Sequence, residues 1–289
     1  PVRLTPDDQL CSNHIMAMTE YRGQLYLAGF DGGVCVTDGT TFRRLDTPFR
    51  MVNSIVATPR GVYAAANAGL FHAADGETFR KVAFVTERGV NGLAFDGRTL
   101  WATSPATLWR IRVQGGPRNR SYWLPGGARA VQRVAVARGA VWMASEDRGI
   151  IRFARGKFQV LALATGLPTS WVMDVTAGPG DTVYAATFRH GLLALDVGED
   201  GSAAALDRLS VRAIPETPDP WQLHVSRHGD DIWVGTQRGA ARIASDGTTT
   251  TVRDGLPHPC VHAITSFAGQ VWLGTEGGVY IVPQPASGP

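Results

Sequence analysis

Cys260 and His262 stand two residues apart, so on an extended strand both side chains fall on the same side. His14 and Met16 repeat that spacing near the other end of the chain, and His258 lies just ahead of Cys260. Cys, His and Met together suit a soft metal such as Cu(I), and Cys with His suits zinc. Buried Cys and Met serve equally well as packing. No stoichiometric metal and no cofactor are therefore expected. A second set is ionic: Arg133, Asp174 and His224. A carboxylate between a guanidinium and an imidazole can form a charge-assisted network that holds the imidazole tautomer. That arrangement serves acid–base chemistry or anion recognition. No Gly-rich phosphate loop, Gly-x-Ser-x-Gly elbow or His-Glu-x-x-His helix motif occurs.

The elements that must position these residues are repeats. One aromatic recurs inside a short apolar strand, at Tyr26, Tyr63, Trp101, Trp142, Tyr184, Trp233 and Trp272, with spacings of 37, 38, 41, 42, 49 and 39 residues. A period near 40 built only from strand-length apolar runs gives about four strands per repeat, the blade of a β-propeller. Turn chemistry agrees. Asp38-Gly39, Asp75-Gly76 and Asp246-Gly247 are expected to join the third and fourth strands as two-residue hairpins, where positive φ favours Asp-Gly. The expected fold is all-β: one seven-bladed β-propeller domain over residues 1–289, with four-stranded antiparallel blades. The blades fall at about 14–46, 51–85, 89–125, 130–163, 171–214, 221–253 and 260–282. The last repeat lacks its fourth strand, and residues 2–6 are expected to supply it and close the ring.

Aligning the innermost strand across blades gives the lining of the axial channel. The first row reads His14, Met51, Gly89, Ala130, Trp171, Trp221 and Cys260. Two residues on come Met16, Asn53, Asn91, Gln132, Met173, Leu223 and His262. The next row reads Ala17, Ser54, Gly92, Arg133, Asp174, His224 and Ala263. Four blades place a small residue in that last row, and the successive blades 4, 5 and 6 place Arg133, Asp174 and His224. Two readings stand: a binding or acid–base site, or a wet channel whose polar groups satisfy one another. Trp171 and Trp221 form an aromatic wall for a sugar or planar ligand, or else cap blade packing. Loops between the second and third strands add Arg148, Arg189 and His190 beside the trio, while Asp31, Asn67 and Glu276 read as solvated tips. The insertions 114–119 and 198–205 and the pair Asp7-Asp8 carry no recognisable chemistry.

Ile232-Trp233-Val234-Gly235-Thr236, Val271-Trp272-Leu273-Gly274-Thr275-Glu276-Gly277-Gly278-Val279-Tyr280 and Asp254-Gly255-Leu256-Pro257 resemble the repeat of two-component-regulator propellers, and Thr165-Gly166-Leu167-Pro168 resembles its Gly-Leu-Pro element. Blade 3 departs most, with Thr103-Ser104-Pro105 where Gly-Thr would stand. The resemblance implies an extracytoplasmic (periplasmic or secreted) bacterial sensor module that recognises a carbohydrate-like ligand.

Bulk properties fit. Hydrophobic residues make up 44% and charged residues 18%, a folded rather than disordered balance. The formal charge of +3 comes from dispersed arginines, so no nucleic-acid partner is expected. No apolar run reaches the ~20 residues of a membrane span, so no membrane insertion is expected. Three cysteines cannot all pair, and their spacing matches no zinc motif. A start at Pro1 reads as a processed or trimmed terminus with any export signal gone. The functional expectation is a non-catalytic recognition module binding a small molecule, glycan or protein at the channel mouth. The alternative is a lyase or hydrolase that uses His224 and Asp174, with or without a metal.

Overall fold

The marker aromatics of the seven repeats are all buried, each in the second strand of a four-stranded antiparallel sheet. The computed structural model describes residues 2–4, 10–115, 118–128, 130–197, 210–214 and 217–282. The Asp7-Asp8 pair and the insertion 198–205 lie outside these, as does part of the insertion 114–119. Seven sheets form the blades, and two single 3-10 turns, Pro125–Gly127 and Leu163–Thr165, are the helical content of the described residues. Each marker aromatic sits in the wedge between its own blade and the next. Tyr26 packs with Phe49, Phe71 and Phe79 between blades 1 and 2. Trp142 packs with Val172 and Leu193 between blades 4 and 5. Trp272 packs with Ile15, Leu25 and Leu27 between blades 7 and 1. A large flat ring suits that wedge, because twisted sheets packed around an axis diverge outward from their crowded inner strands.

The inner strands are Ile15–Tyr21, Val52–Thr58, Gly92–Phe95, Val131–Ala137, Val172–Ala177, Gln222–His228 and Val261–Phe267. Each packs on the next around the circle, and the last packs on the first. Val2–Leu4 supplies the outer strand of blade 7, with Val2 opposite Ile281 and Leu4 opposite Val279. The pairing covers the free edge that Gly278–Val282 would otherwise offer to solvent or to another chain.

Beside this strand lies a disulfide. Cys11 and Cys35 are bonded, with Cα atoms 5.5 Å apart, leaving Cys260 free. The bond ties the segment leaving the closing strand to the third strand of blade 1, within a cluster that includes Leu10, Phe267, Trp272 and Val279. The Asp-Gly pairs do turn the chain, with Gly39, Gly76 and Gly247 at φ of 99°, 88° and 86°, but not as the two-residue hairpins expected: Thr37 pairs with Phe42 and Ile243 with Thr249, so the loops are longer. The preceding Asp side chains accept backbone N–H groups one turn on, as from Thr40 and Thr41 to Asp38 and from Thr248 to Asp246.

Deleting residues 1–9 removes the closing strand and should lower the melting temperature sharply and promote edge-to-edge association. Calorimetry with light scattering checks this, and a monomeric variant melting like the full chain would contradict the closure.

Candidate functional site

Hydrogen-bond register dictates where the inner-strand side chains go. In six of the seven blades the pairing of first and second strands slips by one residue, at Met16, Asn53, Gln132, Met173, Leu223 and His262. Such a bulge sets two residues of one strand against one of its partner and re-aims their side chains. The consecutive residues Met16 and Ala17 accordingly both line the axial channel, together with Arg133, Asp174 and His224, around a cavity of about 340 Å³.

The ionic trio divides into two parts. Asp174 is buried, and its Oδ2 accepts a hydrogen bond from His224 Nδ1 at 2.7 Å and from the Val225 N–H at 3.1 Å. Its Oδ1 accepts the Val175 N–H at 2.8 Å. The carboxylate thus staples blade 5 to blade 6 and fixes His224 with Nδ1 as donor, leaving His224 Nε2 buried without a hydrogen-bond partner among the described residues. Arg133 turns the other way. Its Nη1 donates to the Asn53 carbonyl at 2.8 Å and, at 3.5 Å, to that of Asn91. Among the described residues no ion pair joins Arg133 to a carboxylate, so the expected three-member network is an Asp174–His224 pair with a separate guanidinium. Burial pulls the Arg133 pKa down, and the Asp174 charge works against that pull. Asn53 and Asn91 explain the direction: their amides donate to the Val90 and Val131 carbonyls at 2.9 and 2.8 Å, linking blades 2, 3 and 4 and presenting their own carbonyls to Arg133.

A second cluster spans the seam between blades 7 and 1. His262 Nε2 donates to Glu276 Oε1 at 2.8 Å, and the His14 ring lies 4.6 Å from the His262 ring. Burial pushes His262 down to about 4 and lowers His14 as well. Burial alone would raise Glu276, but the bond from His262 and the neighbouring imidazoles hold it below its usual range. Cys260 is pushed up to about 11 by burial and then by Glu276, so its thiol stays protonated. The cluster joins His14 and His262 to Glu276, which its loop position did not single out.

On blades 5 and 6 the aromatic wall is filled. Phe188 stacks on Trp171 at 4.0 Å and on Trp221 at 4.3 Å, forming a three-ring pile rather than an open slot. Arg189, held at φ 73°, places its guanidinium 5.3 Å from the Phe188 centroid and 5.5 Å from that of Trp221. Trp171 keeps an exposed face. His190 is exposed beside the pile. Arg148 is engaged locally with Gly126 O and lies 3.8 Å from Asp147.

No protein-family model matches the chain, and no curated protein matches it by sequence. Solved structures do. The extracellular domain of the putative hybrid two component system BT3049 from B. thetaiotaomicron superposes with a TM-score of 0.79 at 15% identity, covering 98% of this chain and 42% of that one. The corresponding domain of BT4673 gives 0.74 at 15%, covering 97% and 39%. This chain thus spans well under half the length of either. Virginiamycin B lyase from Staphylococcus aureus, in a catalytically inactive form with quinupristin, gives 0.74 at 15% and is covered over 96% of both chains. The property shared with these structures is the seven-bladed propeller fold. Among the described residues no helix is long and apolar enough to cross a membrane.

Two predictions follow from the charges. Asp174→Asn removes a charged acceptor of three hydrogen bonds and should cost roughly 2–3 kcal/mol in urea unfolding; an unchanged midpoint would contradict the staple. His262 and His228, also at about 4 through burial, are neutral when folded, whereas in the unfolded chain each returns to about 6.5. Between pH 6.5 and 4 the unfolded chain therefore binds more protons. Stability is full above about pH 6.5 and falls toward pH 4, with a slope approaching about 1.4 kcal/mol per pH unit for each residue. Urea titrations across this window read the slope, which should flatten in His228→Gln.

Proposed function

We propose that the protein is an extracytoplasmic recognition module that binds a small polar ligand bearing an anionic group, such as an acidic sugar, at the channel mouth. The observation that carries this reading is Arg133, a guanidinium lining the channel whose partners among the described residues are backbone carbonyls and no carboxylate. A cation withdrawn from bulk water gains most from an anion that completes its coordination. The exposed face of Trp171, backed by Phe188 and Trp221, offers a stacking surface for a ring. The likeness to two-component extracellular domains supports a sensing role and a location outside the cytoplasm.

A second reading rests on His224. With Nδ1 bonded to Asp174 and Nε2 unpartnered, the imidazole has the form of a general base in a buried channel. That supports a lyase or hydrolase, and virginiamycin B lyase shares the fold along its whole length. Product formed from a bound ligand, and abolished by Asp174→Asn in folded protein, would favour this reading.

The test is a thermal-shift and calorimetric screen of uronic acids and small carboxylates. Arg133→Gln should weaken the strongest binder roughly 10- to 100-fold, the worth of one charge-assisted contact. Trp171→Ala should weaken ring-containing ligands more than simple carboxylates. Binding untouched by Arg133→Gln would overturn the proposal.

A further inference from the structure

The seam between blades 7 and 1 gathers more ligating atoms than packing requires. One donor atom from each of His14, His262 and Glu276 lies within 4.8 Å of the other two, and a second triad, His258, Cys260 and Glu276, meets the same limit. Glu276 is common to both, with Oε1 toward His262 and Oε2 at 3.8 Å from His258 Nδ1. These residues come from three separate places: the approach to the inner strand of blade 1, the inner strand of blade 7 with the loop before it, and the turn between the second and third strands of blade 7.

Each is held in place. The His14 N–H donates to Ser12 Oγ at 3.1 Å, its carbonyl accepts the Phe30 N–H at 2.9 Å, and its ring stacks on Phe30 at 5.1 Å. His262 sits at the bulge of its strand, with its ring against that of His14 and the Glu276 carboxylate. Glu276 is fixed by the turn, where Thr275 Oγ1 accepts the Gly277 N–H at 3.1 Å. A Cβ on Gly277 would come within 2.8 Å of Pro257 O and 3.0 Å of His258 Cβ, so glycine is what lets the Glu276 turn press against the His258 loop. Against this ordered frame, His14 Nε2 is buried and has no hydrogen-bond partner among the described residues. A buried ring nitrogen left unused calls for a physical reason.

We propose that His14, His262 and Glu276 form a binding site for a borderline divalent cation of the zinc class, with the remaining coordination position left to water or to a ligand group. Two imidazoles and one carboxylate are a donor set for zinc with an open position, and they are too poor in oxygen for calcium or magnesium. Zinc ligands about 2.0–2.1 Å from the ion lie roughly 3.4 Å from one another in a tetrahedron. The 2.8 Å bond from His262 to Glu276 and the 4.8 Å limit on the triad bracket that spacing. Binding at His262 Nε2 moves the proton now shared with Glu276 to Nδ1 and leaves the carboxylate free to ligate. The thiol of Cys260 instead lies 3.7 Å from the Gln237 carbonyl and stands aside in the second triad. The ion would bridge the first and last blades at the mouth.

The test uses full-length protein stripped with a chelator and dialysed. Titration with zinc chloride by calorimetry should show one equivalent bound, and cobalt chloride should give the intense visible absorption of a tetrahedral site. Zinc should raise the melting temperature of the wild type. His14→Ala, His262→Ala and Glu276→Gln, each confirmed as folded by its circular dichroism, should each abolish the cobalt band, while Cys260→Ser and Arg133→Gln keep it. No uptake by the wild type would overturn the proposal. So would uptake that survives His14→Ala but is lost in Cys260→Ser, since that result moves the ion to the second triad.

Discussion

Everything at the channel mouth depends on ring closure. Seven twisted sheets packed face to face leave the first and last blades to find each other, and nothing local to either blade enforces the meeting. Here three kinds of bond converge on that seam. The Val2–Leu4 strand pairs with Gly278–Val282, the Cys11–Cys35 disulfide anchors the segment that follows it, and His14 meets His262 and Glu276. Between them Trp272 fills the wedge with Ile15 and Leu25. Covalent, hydrogen-bonded and apolar contributions at one seam mean that the inner strands on either side hold a fixed separation, which a preorganised site at their ends requires.

The channel itself shows how a narrow polar lumen satisfies its own groups. Inner strands crowd at the axis, and in blade 1 the bulge sets the consecutive residues Met16 and Ala17 both on the lumen. Buried polar atoms must then find partners on neighbouring blades. Asn53, Asn91, Asp174 and Arg133 each reach across a blade boundary to backbone atoms. Most of the lining is thus mortar between blades. Among the described residues that face the channel or its seam, the Arg133 charge, His224 Nε2 and His14 Nε2 stand apart from that mutual satisfaction.

Much of this was legible in the sequence, for a physical reason. The marker aromatics recur because each fills the same wedge, so their period is the period of the fold, and the missing fourth strand of the last repeat pointed to the N-terminus. The row holding Arg133, Asp174 and His224 was legible because it departs from small residues at a crowded position. Directions within the row were not, since Arg133 follows carbonyls that only the folded Asn53 and Asn91 present. Phe188 lies in a loop with no periodic cue, so its place between Trp171 and Trp221 could not be read. The Cys11–Cys35 bond and the approach of Glu276 to His14 also stayed hidden. Neither sits in the repeat pattern, and the second exists only once the ring has closed.

Amide hydrogen exchange along residues 278–282 tests the closure most directly, because alternate amides of that strand point away from its partner Gln270–Thr275 and are covered only by Val2–Leu4. In the full-length protein these amides should exchange as slowly as those of Gln270–Thr275, within the globally protected core. Rapid exchange at alternate positions, as at an open sheet edge, would contradict the closure.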